Sequence, residues 1–189
     1  MKRIVMGLAL VVGLWGCGGG AGDAGELTDR SAYPSGPYGK TAGSILENLE
    51  FVNSDGTPYS FNDVFADPAN RVLLVTTTAD WCSACKEEQK SLVELHRQYG
   101  ERGLAIVVAM FENGEFDPAE VENARVWKER YELPVPVVLD ANPFQLGAYY
   151  DRRVTPMNMV VDVDTMEIID ISTGFNEQKA KALIEAHLP

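Results

Sequence analysis

The sequence predicts an α/β fold with helices packed on a mixed β-sheet, and three observations carry that prediction. Nearly unbroken apolar runs at residues 72–75 and 104–110 read as strands buried on both faces. Each is followed by a stretch whose apolar residues recur at helical spacing. The chain then ends in two apolar segments joined by Asp164-Thr165-Met166 and a last amphipathic stretch, a hairpin plus helix. With 189 residues, 46% hydrophobic and 23% charged, the chain suits one domain with its own core. A net charge of −12 excludes a nucleic-acid partner bound by phosphate neutralisation.

From the N-terminus, Lys2 and Arg3 precede an apolar run over residues 4–15 that is too short to span a bilayer. It matches the core of a secretory signal peptide, residues 1–16. Leu14-Trp15-Gly16-Cys17 resembles the bacterial lipoprotein cleavage box, with Trp15 where a small residue is usual. That resemblance implies lipidation of Cys17, anchoring in a bilayer of the cell envelope and a domain facing an extracytoplasmic or periplasmic space. Gly18 rather than Asp after Cys17 favours the outer membrane. Residues 17–43, rich in Gly, Ser and Pro, read as a flexible tether, and residues 44–189 as the folded domain.

Within that domain, Leu49-Glu50-Phe51-Val52 and Pro58-Tyr59-Ser60-Phe61 flank Ser54-Asp55-Gly56 as an N-terminal hairpin. Residues 72–75 form a strand. Residues 83–99 form a helix with Leu92, Leu95, His96 and Tyr99 on one side, and 104–110 a second buried strand. Asp117-Pro118-Ala119-Glu120 carries an Asp cap, a first-turn proline and a capping-box Glu, which predicts a helix from there. A strand over 135–139, a short helical piece over 144–150, and strands over 157–163 and 167–171 follow. Asn176 caps a last helix with Ala180, Leu183, Ile184 and Leu188 aligned.

The chemistry resides in Trp81-Cys82-Ser83-Ala84-Cys85, where a buried strand gives way to a helix. A spacing of three places both sulfurs on one side of the first turn, within disulfide reach. The helix N-terminus favours the thiolate of the first cysteine. A thiolate attacks disulfides, and the second cysteine can resolve the mixed disulfide. A purely structural bridge is disfavoured, because so small a loop removes little chain entropy. A zinc site lacks a second Cys pair, and His96 and His187 read as packed or capping residues, so no metal is expected. Asp162 and Asp164 read as turn residues.

The Trp-Cys-x-x-Cys motif after an apolar strand, with Val154-Thr155-Pro156 before another, resembles the thioredoxin superfamily. The hairpin and Ser60-Phe61-Asn62-Asp63-Val64 resemble its extracytoplasmic TlpA/ResA, AhpC/TSA-related branch. The likeness covers residues 45–189. It implies a thioredoxin-like fold and a thiol–disulfide oxidoreductase whose redox-active pair is Cys82–Cys85, with no dissociable cofactor. It also implies a cis-proline loop at Thr155-Pro156 that, with Trp81, meets protein thiol or disulfide substrates, and a membrane electron donor or acceptor. Thr76 stands where thioredoxins carry a buried Asp, which leaves the proton acceptor for Cys85 unassigned. Ser83-Ala84 offers little thiolate stabilisation, which points to a reducing rather than a strongly oxidising pair. The alternative is a lipid-anchored binding or assembly module of this fold without turnover. A peroxidase is a lesser reading, because Val75 and Ala79 replace the Pro and Thr/Ser of the peroxidatic pattern.

Overall fold

The computed structural model describes residues 30–189. The predicted signal peptide and Cys17 lie outside them. A seven-stranded mixed sheet runs in the order β2-β1-β5-β4-β3-β6-β7. Its strands are β1 (Glu50–Asn53), β2 (Pro58–Ser60), β3 (Val72–Ala79), β4 (Leu104–Glu112), β5 (Val137–Leu139), β6 (Met157–Asp162) and β7 (Glu167–Thr173). The helices are α1 (Phe61–Phe65), α2 (Ser83–Tyr99), α3 (Val121–Arg130) and α4 (Glu177–His187).

β3 is central because every one of its side chains is apolar or a threonine, and all are buried. It pairs parallel with β4 and antiparallel with β6. Strand alternation then sends Leu73 and Val75 to one face and Val72 and Leu74 to the other. The second face is covered by α2, α3 and α4 through Leu92, Leu95, Trp127 and Ile184. The first is covered by α1, Leu46, Leu49 and Tyr149. The expected mixed α/β layering is present, and two parallel crossovers, β3-α2-β4 and β4-α3-β5, bring the C-terminal ends of β3, β4 and β5 to one edge. Since β6 runs antiparallel to β3, its N-terminal end lies at that same edge.

Four details depart from the sequence reading. The helix expected from Asp117 begins at Val121, after Glu120, whose N–H donates to the Asn123 side chain. Residues 113–119 instead fold back on β4, with Ala119 N–H donating to the Phe111 carbonyl. β5 starts at Val137 rather than 135, since Pro136 has no N–H for the ladder. The piece over 144–150 holds only a 3₁₀ turn, Leu146–Ala148, because the Asp140 carboxylate draws off the N–H groups of Gln145 and Leu146. The tether expected through residue 43 is docked from residue 30 onward. Arg30 donates to the Phe65, Asp67 and Asn70 carbonyls and pairs with Asp164. Tyr33 packs edge-on against Phe65, and Gly43 N–H donates to the Ile168 carbonyl. Those backbone and side-chain partners offset the low apolar content that suggested freedom.

Candidate active site

β3 ends at Ala79, and a tight turn delivers Cys82 to the N-cap of α2. There Cys82 adopts an extended conformation, and its sulfur accepts the Cys85 N–H at 3.1 Å. The two cysteines form a disulfide with Cα atoms 5.3 Å apart. Cys82 is 4% exposed and Cys85 fully buried, so an incoming sulfur meets Cys82 first. Asp80, which alone would oppose a thiolate, is held between Arg130 at 3.1 Å and Lys86 at 3.6 Å.

The Thr155–Pro156 peptide is cis, as the family resemblance implied. The Thr155 carbonyl oxygen lies 3.9 Å from Cys82 Sγ, at the edge where β6 begins beside β3. Thr77 Oγ1 anchors this loop from beneath. It accepts the Met157 N–H at 2.9 Å, donates to the Tyr150 hydroxyl at 2.9 Å and lies 3.4 Å from Thr155 Oγ1.

Trp81 belongs to a continuous run of rings around the disulfide. Tyr150 meets Phe144 edge-on, Phe144 stacks on Phe111 at 4.6 Å, Phe111 meets Trp81 edge-on, and Trp81 stacks on Phe116 at 5.4 Å. Ala79, both cysteines and Phe111 form one buried cluster under Trp81 and Phe144. The indole Nε1–H donates to Glu112, whose carboxylate lies 4.0 Å from the Arg152 guanidinium. Arg153 pairs instead with Asp151. Asp162 accepts the N–H groups of Asp164 and Thr165, the turn role expected of it. No cluster of three or more His, Cys, Asp or Glu suited to a metal occurs among the described residues.

Sequence reasoning missed Glu88. One helical turn beyond Cys85, it is 2% exposed, and burial pushes its carboxyl up to about 8. The side chains of Thr76 and Asn158 lie close and favour its charged form. None of the three reaches hydrogen-bond geometry with another, however, so desolvation wins. The signal was available: extending the buried stripe of Leu92, Leu95 and Tyr99 back by helical spacing reaches Glu88 and Cys85. A carboxyl on that stripe stands beside Thr76, where the thioredoxin Asp would be. Phe111, Phe144 and Tyr150 were also missed, because no local pattern marks rings that meet from separate strands and loops.

The family model of the AhpC/TSA family matches residues 42–170. The chain belongs to that family. Thioredoxin-like protein YneN of Bacillus subtilis is 26% identical over 113 residues, 60% of this chain and 62% of YneN. The match thus spans less than two thirds of that relative. A conserved protein of Geobacillus kaustophilus shares the fold with a TM-score of 0.66 and 20% identity, over 79% of this chain and 82% of that one. The exposed lipoprotein thioredoxin Etrx1 of Streptococcus pneumoniae has a TM-score of 0.59 at 17% identity, over 74% of this chain and 99% of its own. The family match, together with the thioredoxin-like fold shared with these structures, supports membership of the thioredoxin superfamily.

Proposed function

We propose that this protein reduces disulfides in extracytoplasmic proteins through the Cys82/Cys85 couple, tethered to the outer membrane by a lipid on Cys17. The observation that carries this reading is the amide-supported Cys82 sulfur, with Cys85 buried behind it and the Thr155 carbonyl alongside. In the reduced protein the Cys82 thiolate attacks one sulfur of a client disulfide, and the client's other sulfur leaves as a thiolate. Cys85 then loses its proton and attacks Cys82 Sγ, which expels the second client thiolate. Two electrons pass to the client, and the protein is left with the Cys82–Cys85 disulfide.

Glu88, buried one helical turn from Cys85 on the same face of α2, is the group placed to take the Cys85 proton. With its carboxyl raised to about 8, its ionised form, the one that accepts a proton, grows as pH rises toward 8. Trp81, Thr155 and Pro156 would hold the client chain. A membrane dithiol donor would restore the reduced pair. The likeness to a lipoprotein thioredoxin supports the anchored reading, as does the Cys17 box.

The test is reduction of a model protein disulfide with a dithiol as electron source. Wild type is expected to turn over and Cys82→Ala to be inert, whereas Cys85→Ala should hold the client as a mixed disulfide. An inert wild type with no trapped client would favour a binding module of this fold. The direction of exchange is read separately, as the equilibrium potential of the pair. A value near −270 mV, roughly that of thioredoxin, is expected, and one above about −150 mV would reverse the direction.

A further inference from the structure

Phe116 is 66% exposed, the most exposed of the large apolar side chains among the described residues. It also stands at φ 67°, a left-handed conformation that a bulky residue adopts only at a conformational cost. Its loop enforces that geometry. The Asn113 side chain accepts the N–H groups of Glu115 and Asp117, and Asn113 N–H donates to the Asp117 carbonyl. The result is a ring with one face stacked on Trp81 and little else to cover it. A strained backbone that exposes an aromatic ring stacked on the residue before Cys82 is a feature to be explained by function.

The topology fixes where this ring stands. Phe116 follows β4, Thr155 precedes β6, and Cys82 follows β3, which lies between those strands. The loops that carry the exposed Phe116 and Val154 therefore leave the sheet on opposite sides of the one that carries Cys82. We propose that Trp81 and Phe116 form a platform that receives an aromatic or bulky aliphatic side chain next to the client's cysteine. This rests on the functional reading above, in which the client chain runs past Thr155 on the other flank. Glu115 and Asp117 adjoin Phe116 in the loop, so the same platform repels an acidic side chain. Phe116 is thus a specificity-determining residue and takes no part in the sulfur chemistry.

The test uses short peptides whose single cysteine is joined to glutathione, differing only in the flanking residue: Phe, Ser or Asp. For the reduced protein, kcat/KM is expected to fall in that order, with about a tenfold gap between Phe and Ser, the size of an aromatic contact. Phe116→Asn keeps a side chain that tolerates the left-handed backbone and removes the ring. In it the Phe-to-Ser ratio should fall several-fold, to the share that the Trp81 ring alone provides. A ratio near one in wild type, or one that persists in Phe116→Asn, would overturn the proposal. Calorimetric binding of the same peptides with Ser in place of Cys separates the two readings. A Phe preference in binding without any exchange would sink the redox reading and leave the platform standing. Exchange without a preference would do the reverse.

Discussion

Two buried carboxyls near the sheet edge make an instructive pair. Asp140, at 1% exposure, follows β5, and Glu88, at 2%, lies on α2. Burial raises both, Asp140 to about 7 and Glu88 to about 8. Their surroundings differ. Asp140 receives the Gln145 N–H on one oxygen and the Leu146 N–H on the other, both within 2.9 Å. Glu88 has no hydrogen-bond partner among the described residues. A satisfied buried carboxyl organises a loop, here the one that presents Phe144 to Phe111 beside the disulfide. An unsatisfied one, a helical turn from Cys85 on the buried face of α2, holds no loop in place, which suits it to chemistry rather than architecture.

The sharpest way to break this contrast is Glu88→Gln. The resolving step should slow by about a hundredfold or more, the usual scale for loss of a general base. Rapid quench would show mixed disulfide accumulating in this variant. Stability should move the other way. Because Glu88 is protonated in the folded chain at a pH where the unfolded chain has lost the proton, wild type has the whole of this group's contribution near pH 4. It loses stability as pH rises toward 8. Denaturation at pH 5 and pH 8 should show a decline of several kcal/mol, roughly 3–4 from Glu88 and roughly 2–3 from Asp140, and Glu88→Gln should remove the larger share. A variant with full resolving rate and the wild-type pH slope would remove Glu88 from the mechanism.

Asp140→Ala should act as an architectural loss. It leaves the Gln145 and Leu146 amides without their acceptor, at about 1–3 kcal/mol for each that water cannot reach. Urea denaturation should report the loss. Asp140→Asn, which keeps an acceptor oxygen, should recover part of it. If Asp140→Ala instead slowed resolution as much as Glu88→Gln while leaving stability intact, the two carboxyls would not differ in kind.

The sequence made the frame legible where periodicity and caps are local. α2 spans the residues expected of it, Asn176 caps α4 by accepting the Lys179 N–H, and β3 is buried along its whole length. The cysteine pair and the proline loop were legible as well, since each is a contiguous motif. Features decided by contacts between distant residues were not. Asp117-Pro118 carries the signs of a helix start, yet Asn113 captures the loop and the helix waits for Glu120. Arg30 lies in a stretch of low apolar content, but its guanidinium finds carbonyls more than thirty residues away. Glu88 was readable in principle, since helical spacing places it on the buried stripe.

The smallest expected effect concerns how firmly the Thr155 loop is held, compared with the Asn113-bound loop on the other flank. Tyr150 reaches this loop by a single hydroxyl, 2.9 Å from Thr77 Oγ1 and 3.5 Å from Thr155 Oγ1. Its ring separately meets Phe144. Tyr150→Phe removes the hydroxyl and keeps the ring, so the belt around the disulfide should persist while Thr77 loses one of its partners. The stability change should be about 1 kcal/mol, typical of one partly buried hydrogen bond. The kinetic signature is more telling. A looser Thr155 carbonyl weakens the hold on a client chain, so KM for a protein disulfide should rise a few-fold with kcat nearly constant. A fall in kcat with KM unchanged would instead mean that the hydroxyl acts on the sulfur chemistry, and that this flank is more than a rigid template.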